Sequence, residues 1–211
     1  MSKRQQESKL QNRRSTTTKQ PLKVLQLHMD TSTLVRAAAK QDEHARKAIY
    51  NSMAPKMLAV CQRYISDIHF AEDVMVTAFV KVFEKINSFE FKGSFEGWVR
   101  RVMVNECLSF LRKKREMTFE IQGDVAEETE DEGGLPEGLQ PGDLFEMVAS
   151  LPVQSRTVFN LFVMEDYSHI QISDALGISE GTSKSQLAYA RKKLRQMVLD
   201  KISEKNGTVR Y

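Results

Sequence analysis

The chain has few of the residues from which metal and redox sites are built. Its 211 residues include two cysteines and four histidines, and none of these are grouped with the spacing of metal ligands. Cys61 and Cys107 stand alone in the sequence, which favours buried free thiols over a redox role. We therefore expect no metal and no other cofactor.

Long apolar runs are absent as well. No segment approaches the ~18–20 apolar residues that a membrane-spanning helix needs, and the charged N-terminus lacks the apolar stretch of a secretory signal. We therefore expect a cytoplasmic protein without membrane insertion. The sequence also lacks a phosphate-binding glycine loop, and it lacks a set of nucleophile, base and orienting residues at useful spacing. No feature of the sequence therefore indicates an enzyme.

Charge is abundant but unevenly distributed. Residues 1–24 hold seven basic residues and one acid, whereas residues 116–146 hold eleven acids and no base. Without that acidic segment the chain has 31 basic and 17 acidic residues, a net charge of +14 in place of +3. The folded parts are therefore expected to be cationic, which points to nucleic acid as a partner.

Apolar periodicity predicts an all-α protein of two small helical domains joined by a flexible acidic linker. In the first domain we expect helices near residues 34–38, 43–65, 71–86 and 95–115, with a kink or break at Pro55. In the second we expect helices near 144–150 and 153–163 before a final helical pair. The predicted division is a disordered basic arm (1–30), a first domain (31–115), the linker (116–143), a second domain (144–205) and a tail (206–211).

The helical pair is the most informative feature of the chain. Ser168 can cap a short helix with Ile170 and Ile172 on its apolar face, and Gly177 can end it because glycine adopts the left-handed conformation freely. Ser179 can then cap a second, basic helix that extends to about Leu194. A short helix, a tight turn and a basic second helix are typical of a DNA-binding helix-turn-helix.

The last helix of the first domain combines aromatic and basic residues. Such a surface can hold single-stranded DNA, since aromatic rings stack on unpaired bases and cations follow the phosphates. The alternative is that the aromatics form core, which the pattern favours for Phe95 and Trp98, whereas a loop position favours function for Phe89, Phe91 and Lys92. Nearby cations are Arg100, Arg101 and the run from Arg112 to Arg115.

Three segments in this order resemble a bacterial sigma factor of the sigma-70 family, in its extracytoplasmic-function group. AEDVMVTAFVKVFEKINSF (71–89) is similar to the segment that docks on the clamp of RNA polymerase. GSFEGWVRRVMVNECLSFLRKKR (93–115) resembles the segment that reads and melts the −10 promoter element. The segment from 151 to 195 resembles the domain that binds the −35 element.

The resemblance implies a role for particular residues. Those that would dock on polymerase are Asp73, Val74, Thr77, Phe79, Lys81 and Phe83. Those that would contact melted −10 DNA are Phe89, Phe91, Lys92, Trp98, Arg101, Asn105 and Arg112, with the loop 89–94 around a flipped base. Those that would face the duplex −35 element are Thr182, Lys184, Ser185, Gln186, Tyr189 and Arg191.

The chain departs from the family pattern at a few positions. Val76-Thr77 stand where the family often has Gln-Glu, Ser183 where a valine commonly packs, Ser173 where alanine is usual, and Gln186 where arginine is frequent. The resemblance also implies that the acidic linker enters the RNA channel of polymerase. A solvated spacer, or a segment folding back on the basic domains, would explain its charge too.

The resemblance implies a non-enzymatic specificity subunit that is monomeric when free. Its partners would be core RNA polymerase, promoter DNA in duplex and melted form, and, where one exists, an anti-sigma factor clamping the same surfaces. A repressor or activator acting without polymerase would explain the helix-turn-helix but not the first domain. A protein-interaction adaptor would leave the basic helix faces unexplained.

Overall fold

A computed structural model of the chain describes residues 30–114 and 141–207, and the secondary structure within these ranges is helical, with no β-strand. The all-α prediction is thus confirmed. The predicted arm apart from Asp30, the linker from 116 to 140 and the tail residues 208–211 lie outside the described ranges. Among the described residues, no helix has the length and apolar character to cross a bilayer, and no group of His, Cys, Asp or Glu is placed to hold a metal ion.

The first domain contains four α-helices around one core. They are α1 (Thr31–Ala39), α2 (Glu43–Tyr64), α3 (Ile68–Glu84) and α4 (Phe95–Lys113), with a 3-10 turn at Ile86–Ser88. Helices α2, α3 and α4 pack against one another, and α1 packs on α2. The large side chains with almost no exposure include Tyr64, Phe79, Met57, Met103, Leu108 and Leu111.

Short polar side chains set where these helices begin. Asp42 Oδ1 accepts a hydrogen bond from the Ala45 amide (2.8 Å), and Ser94 Oγ accepts one from the Gly97 amide (3.0 Å). Asp67 accepts from two amides at the start of α3, which therefore begins at Ile68, three residues earlier than predicted. In each case the side chain satisfies amides that have no partner within the helix.

The predicted break at Pro55 is absent. Helix α2 continues through this residue as one element of 22 residues. Met53 and Met57, on either side of the proline, are buried in the core, while Pro55 and Asn51 are exposed. The ring therefore faces solvent, and water can hydrate the carbonyl of Asn51 that the proline leaves without a donor.

The two cysteines, Cys61 on α2 and Cys107 on α4, are both fully buried free thiols. Hydrogen bonding with Cys61 and burial raise the pKa of the Cys107 thiol well above its usual value. Since the thiolate is the reactive form of cysteine, this environment holds Cys107 in its unreactive form.

We expect both thiols to be inert in the folded protein. Titration with a thiol-reactive chromophore should give a rate at least about a hundredfold slower in buffer than in denaturant, because reaction requires the core to open. A Lys193→Cys variant supplies a control thiol, since Lys193 is exposed and should react at once. Rapid labelling of the wild-type chain in buffer would contradict the burial of the pair.

The second domain is built from α5 (Pro141–Ala149), α6 (Val153–Phe159), α7 (His169–Leu176) and α8 (Glu180–Gly207). A π-helical turn, Asn160–Met164, ends the segment predicted as one helix to residue 163. Helix α5 starts three residues before the predicted start of its domain, and α8 extends well beyond the predicted end at Leu194. The core residues between α6, α7 and α8 include Val158, Leu161, Ile172, Leu187 and Ala190.

Candidate nucleic-acid and polymerase interfaces

The helix-turn-helix forms with the local geometry that the sequence predicts. The side chain of Ser168 accepts from the Gln171 amide while the Gln171 side chain accepts from the Ser168 amide, a capping box. Gly177 ends α7 in the left-handed region at φ 69°, and Ser179 Oγ accepts from the Thr182 amide at 2.9 Å. One detail was wrong, because Ile170, expected on the apolar face of α7, is 62% exposed.

A hydrogen bond between α7 and α8 explains why serine can stand at position 183, where the family commonly has a valine. This residue is fully buried, and its Oγ lies 2.8 Å from Nδ1 of His169. The imidazole ring in turn stacks on Phe162, with 4.8 Å between ring centroids. Where a valine would pack by apolar contact alone, serine fits since its hydroxyl has a partner.

The exposed face of α8 carries cations. Lys184 and Arg191 are exposed and Ser185 is half-buried, while Tyr189 is 37% exposed. Lys184 pairs with Glu180 one turn earlier at 3.0 Å. Two further cations, Lys192 and Arg195, are exposed on the same helix and extend this basic face, which the predicted site did not include.

Two of the predicted −35 residues are oriented differently. Gln186 is only 8% exposed, on the side of α8 that carries buried Leu187 and Ala190, so we do not retain it as a base contact. Thr182 is half-buried, and its hydroxyl lies 2.8 Å from the hydroxyl of Ser179. The Thr182 side chain therefore helps to stabilise the turn between α7 and α8.

Four predicted −10 residues share one face of α4. Trp98, Arg101, Asn105 and Arg112 are separated by three, four and seven residues, which are spacings that bring side chains to the same side of a helix. Arg101, Asn105 and Arg112 are exposed, and Trp98 is half-buried. The face therefore combines two cations, one amide and the edge of an aromatic cluster.

That cluster consists of Phe89, Phe91, Phe95 and Trp98. Phe89 is central, with ring centroids 5.0–5.7 Å from the other three. Phe89 and Phe95 are buried, at 8% and 5% exposed. We therefore assign the DNA contact predicted for Phe89 to Phe91. Phe91 is 43% exposed, and Lys92 beside it pairs with Glu90 at 2.7 Å.

Phe91 has an unusual backbone. Its φ of +59° lies in the left-handed region, which a bulky side chain rarely adopts. Backbone strain of this kind is concentrated at functional sites. The guanidinium of Arg36 lies 5.0 Å from the centroid of the exposed ring.

A cavity opens beside this ring, between α1 and the loop. Its volume is about 350 Å³, and its lining combines a flat ring, two cations and an amide: Phe91, Arg36, Lys40 and Asn87, over a floor that includes Phe89. Arg36, Lys40 and Asn87 were missed by the sequence analysis, which treated α1 only as an apolar helix. The one signal for the two cations was their spacing of four residues, with Arg36 in the last turn of α1 and Lys40 directly after it.

Helix α3 presents a mixed apolar and acidic face. Asp73 and Thr77 are exposed as the docking prediction requires. Val74 and Phe79 are 7% and 2% exposed in the core, so we do not retain them as docking residues. Lys81 pairs with Glu106 of α4 at 2.6 Å, and Phe83 is half-buried near Arg46.

The outward face of α3 also carries residues that the docking prediction did not include. They are Glu72 and two valines one turn apart, Val76 (49% exposed) and Val80 (52% exposed).

Comparison with known proteins matches both domains to one family. The model of sigma-70 region 2 matches residues 49–117, and that of sigma-70 region 4 matches residues 142–194. The ECF RNA polymerase sigma factor SigW of Bacillus subtilis is 27% identical over 179 residues, which cover 79% of this chain and 95% of that protein. The ECF RNA polymerase sigma-E factor of Escherichia coli K12 is 26% identical over 172 residues, covering 75% and 88%.

Among solved structures, the sigma factor RpoE of Bartonella quintana, in a co-crystal with the anti-sigma factor NepR, is similar at 22% identity and a TM-score of 0.46, covering 72% of this chain and 95% of that one. The two family matches lie in the order that the motifs predicted, one on each helical domain. The chain therefore belongs to the sigma-70 family, in its extracytoplasmic-function group, and is a non-enzymatic, promoter-recognising factor of transcription initiation.

Proposed function

We propose that this sigma factor uses three surfaces, each carried by different residues. The exposed basic face of α8, with Lys184, Arg191, Lys192 and Arg195, binds the −35 major groove and its phosphates. Cations that neutralise phosphates supply affinity and position, while polar side chains at base edges supply specificity. Ser185 and Tyr189 are the uncharged side chains that accompany the cations on the accessible part of the helix.

The cavity beside Phe91 holds one unpaired base of the −10 element. The observation that carries this proposal is an exposed phenyl ring on a strained backbone, next to a cavity of about 350 Å³ that also offers Arg36, Lys40 and Asn87. A ring can stack on a base, an amide can bond its edge, and the cations can hold its phosphate. From there the strand follows the face of α4 formed by Trp98, Arg101, Asn105 and Arg112.

The outward face of α3 docks on core polymerase. Val76 and Val80 supply the apolar centre of this surface, and Glu72, Asp73 and Thr77 supply its polar rim. An apolar centre with a polar rim is the usual arrangement of a protein interface. The family often has a Gln-Glu pair where this chain has Val76-Thr77. The docking surface of this chain therefore depends more on apolar contact.

The free protein is proposed to be monomeric and to act in the cytoplasm, where polymerase and promoter DNA are found. The basic arm and the acidic linker lie outside the described residues, and their proposed roles rest on charge alone. A polyanionic linker suits a cationic RNA channel, and a basic arm suits loose attraction to DNA. An anti-sigma factor would act by covering the surfaces of α3, α4 and α8 described above.

Run-off transcription tests the whole assignment. Purified protein is added to core RNA polymerase of the same organism with fragmented genomic DNA as template, and the transcript ends are mapped. We expect discrete new start sites that share spaced −35 and −10 elements, and that disappear when residues 144–211 are deleted. The absence of new starts together with failure to co-elute with core polymerase would contradict the proposal.

Replacing Phe91 with alanine should impair promoter opening. Base–aromatic stacking contributes about 1–3 kcal/mol per base, so we expect roughly a tenfold loss of open complex, read by permanganate reactivity of unpaired thymines. Phe91→Tyr retains a stacking ring and should keep most activity. Phe145→Ala removes an equally exposed ring (47%) from the second domain and serves as the matched control. An unchanged permanganate pattern in Phe91→Ala would argue against base capture in this cavity.

A further inference from the structure

Another cavity lies where the end of α2 meets α5 and the π-helical turn. Its volume is about 280 Å³. Most of its wall is apolar and comes from Leu144, Val148 and Ala149 of α5 and from Met164 of the turn. None of the three surfaces proposed above uses this cavity.

Hydrogen bonds from buried side chains fix the shape of the cavity. Asn160 Nδ2 donates to the main-chain carbonyl of Arg63 at 2.8 Å. Arg156, which is 5% exposed, donates to the carbonyls of Tyr64 at 3.1 Å and Ala149 at 2.6 Å. The walls are therefore set before a ligand arrives, which lowers the free-energy cost of binding one.

Asn160 supplies an acceptor at the wall of the cavity. Its side chain is fully buried, and among the described residues its Oδ1 has no hydrogen-bond partner. Buried polar side-chain atoms are paired in the large majority of cases, so each exception points to a water, an ion or a ligand that completes it.

Arg63 supplies a donor next to it. This residue also lines the cavity, and its buried Nη1 has no hydrogen-bond partner within the described ranges 30–114 and 141–207. Glu165 Oε1 lies 3.9 Å from this Nη1, beyond hydrogen-bond distance, and accepts from Arg100 Nη2 at 2.8 Å. One end of the cavity therefore presents a donor and an acceptor side by side.

Water suits the polar end of the cavity but not the rest of it. One water has a share of liquid volume of about 30 Å³, roughly a tenth of the cavity. Further waters would each need two to four polar partners, which the apolar walls of α5 do not offer. Apolar walls with a few placed polar groups are instead typical of a site for a small organic ligand.

The two polar residues select against a charged head group. A carboxylate could accept from Arg63, but its oxygen atoms would face Asn160 Oδ1 and lie near the Glu165 carboxylate. An ammonium could donate to Asn160, but it would lie against the Arg63 guanidinium. A primary carboxamide meets both needs, since its oxygen accepts and its nitrogen donates.

We propose that this cavity is a binding site for a small neutral amphiphile with a carboxamide head and an apolar chain or ring of about seven or eight carbons. The length follows from the volume, because a cavity of about 150 Å³ holds the six carbons of benzene. The head lies between Arg63 Nη1 and Asn160 Oδ1, and the apolar part packs on Leu144 and Val148.

Calorimetric titration of the full chain with three probes tests the head group. Octanamide, octanoate and octylamine share one tail and differ only in the head. We expect octanamide to bind with a dissociation constant on the order of 100 μM. The other two should bind at least about tenfold more weakly, because each leaves one buried polar atom without a partner. Equal binding of all three, or no binding of octanamide at millimolar concentration, would overturn the proposal.

Arg63→Met tests the donor. The substitution retains an unbranched side chain and the main-chain carbonyl that Asn160 bonds, and octanamide should bind it about tenfold more weakly. Lys47→Met is the matched control, because it removes a charge at an exposed position of the same helix, roughly 24 Å away along its axis. Unchanged affinity in Arg63→Met, or an equal loss in Lys47→Met, would contradict the assigned contact.

Ala149→Phe tests the location, since it places a ring in the apolar part of the cavity. It should weaken octanamide binding at least about tenfold while circular dichroism shows a folded protein. Methyl NMR of the wild-type chain with labelled methionines gives the location without a substitution in the wall. Octanamide should shift the signal of Met164 and leave that of Met103, in the core of the first domain, unchanged. A shift at Met103 without one at Met164 would place the ligand elsewhere and overturn the proposal.

Discussion

Val76→Asp should lower the affinity for core RNA polymerase by about a hundredfold. The valine is 49% exposed at the centre of the outward face of α3, one turn from Val80. Burying a valine contributes about 1.5–3 kcal/mol, and an unpaired carboxylate in its place adds a desolvation cost. Each 1.4 kcal/mol corresponds to about a factor of ten in the dissociation constant. Titration of labelled sigma factor with core enzyme measures the effect.

Two controls show whether the loss belongs to this surface. Val76→Thr keeps the shape of the side chain without a charge and should lose less than about tenfold. Leu199→Asp places the same carboxylate on an apolar residue of α8 that is 53% exposed, and should bind core as wild type does. Neither position is in the core, so thermal stability should change little. Tight binding by Val76→Asp would remove α3 from the docking surface.

Lys184→Glu should strongly reduce transcription from promoters that depend on a −35 element. Lys184 is exposed on the basic face of α8, and the substitution both removes a phosphate partner and places a carboxylate against the DNA. Losing one phosphate contact should also reduce the salt dependence of duplex binding by about one unit of slope. We expect run-off transcript to fall at least about tenfold, with co-elution on core polymerase retained.

The matched control is Lys193→Glu, which makes the same change of charge on the same helix. Nine residues turn an α-helix by two and a half turns, so Lys193 lies on the opposite side from Lys184. Lys184→Glu also leaves its new carboxylate one turn from that of Glu180, but such a like-charge pair costs only about 0.2–0.5 kcal/mol in helix stability. Misfolding would therefore not explain a large loss. Equal effects of the two reversals would mean that net charge, and not the face of α8, governs binding.

Much of the fold follows from hydrogen bonds between residues close in sequence. Asp42, Ser94, Ser168 and Ser179 each cap a helix by bonding an amide three residues later. Gly177 ends α7 in the conformation that glycine adopts most easily. Such contacts depend on a few neighbouring residues, which is why the helix-turn-helix could be predicted from the amino-acid sequence alone.

Predictions about which side chains are accessible were less successful. Phe89 and Gln186 were expected to contact DNA, yet both are 8% exposed. Phe89 is surrounded by three aromatic rings, and Gln186 lies on the packed side of α8. Aromatic and amide side chains suit either environment, so only the packing of other helices decides between core and surface. The same holds for Val74 and Phe79 on α3.

The sequence by itself determined a two-domain helical chain with a helix-turn-helix, since those features lie in local caps and apolar periodicity, and the order of its motifs resembled that of the sigma-70 family. The tertiary structure alone decided the cavity at Phe91, which combines α1 with a loop some fifty residues later. It alone also decided the pairing of Arg100 with Glu165, 65 residues apart. Contacts of that separation depend on how whole helices pack, and no local pattern in the chain encodes which charged residues will meet.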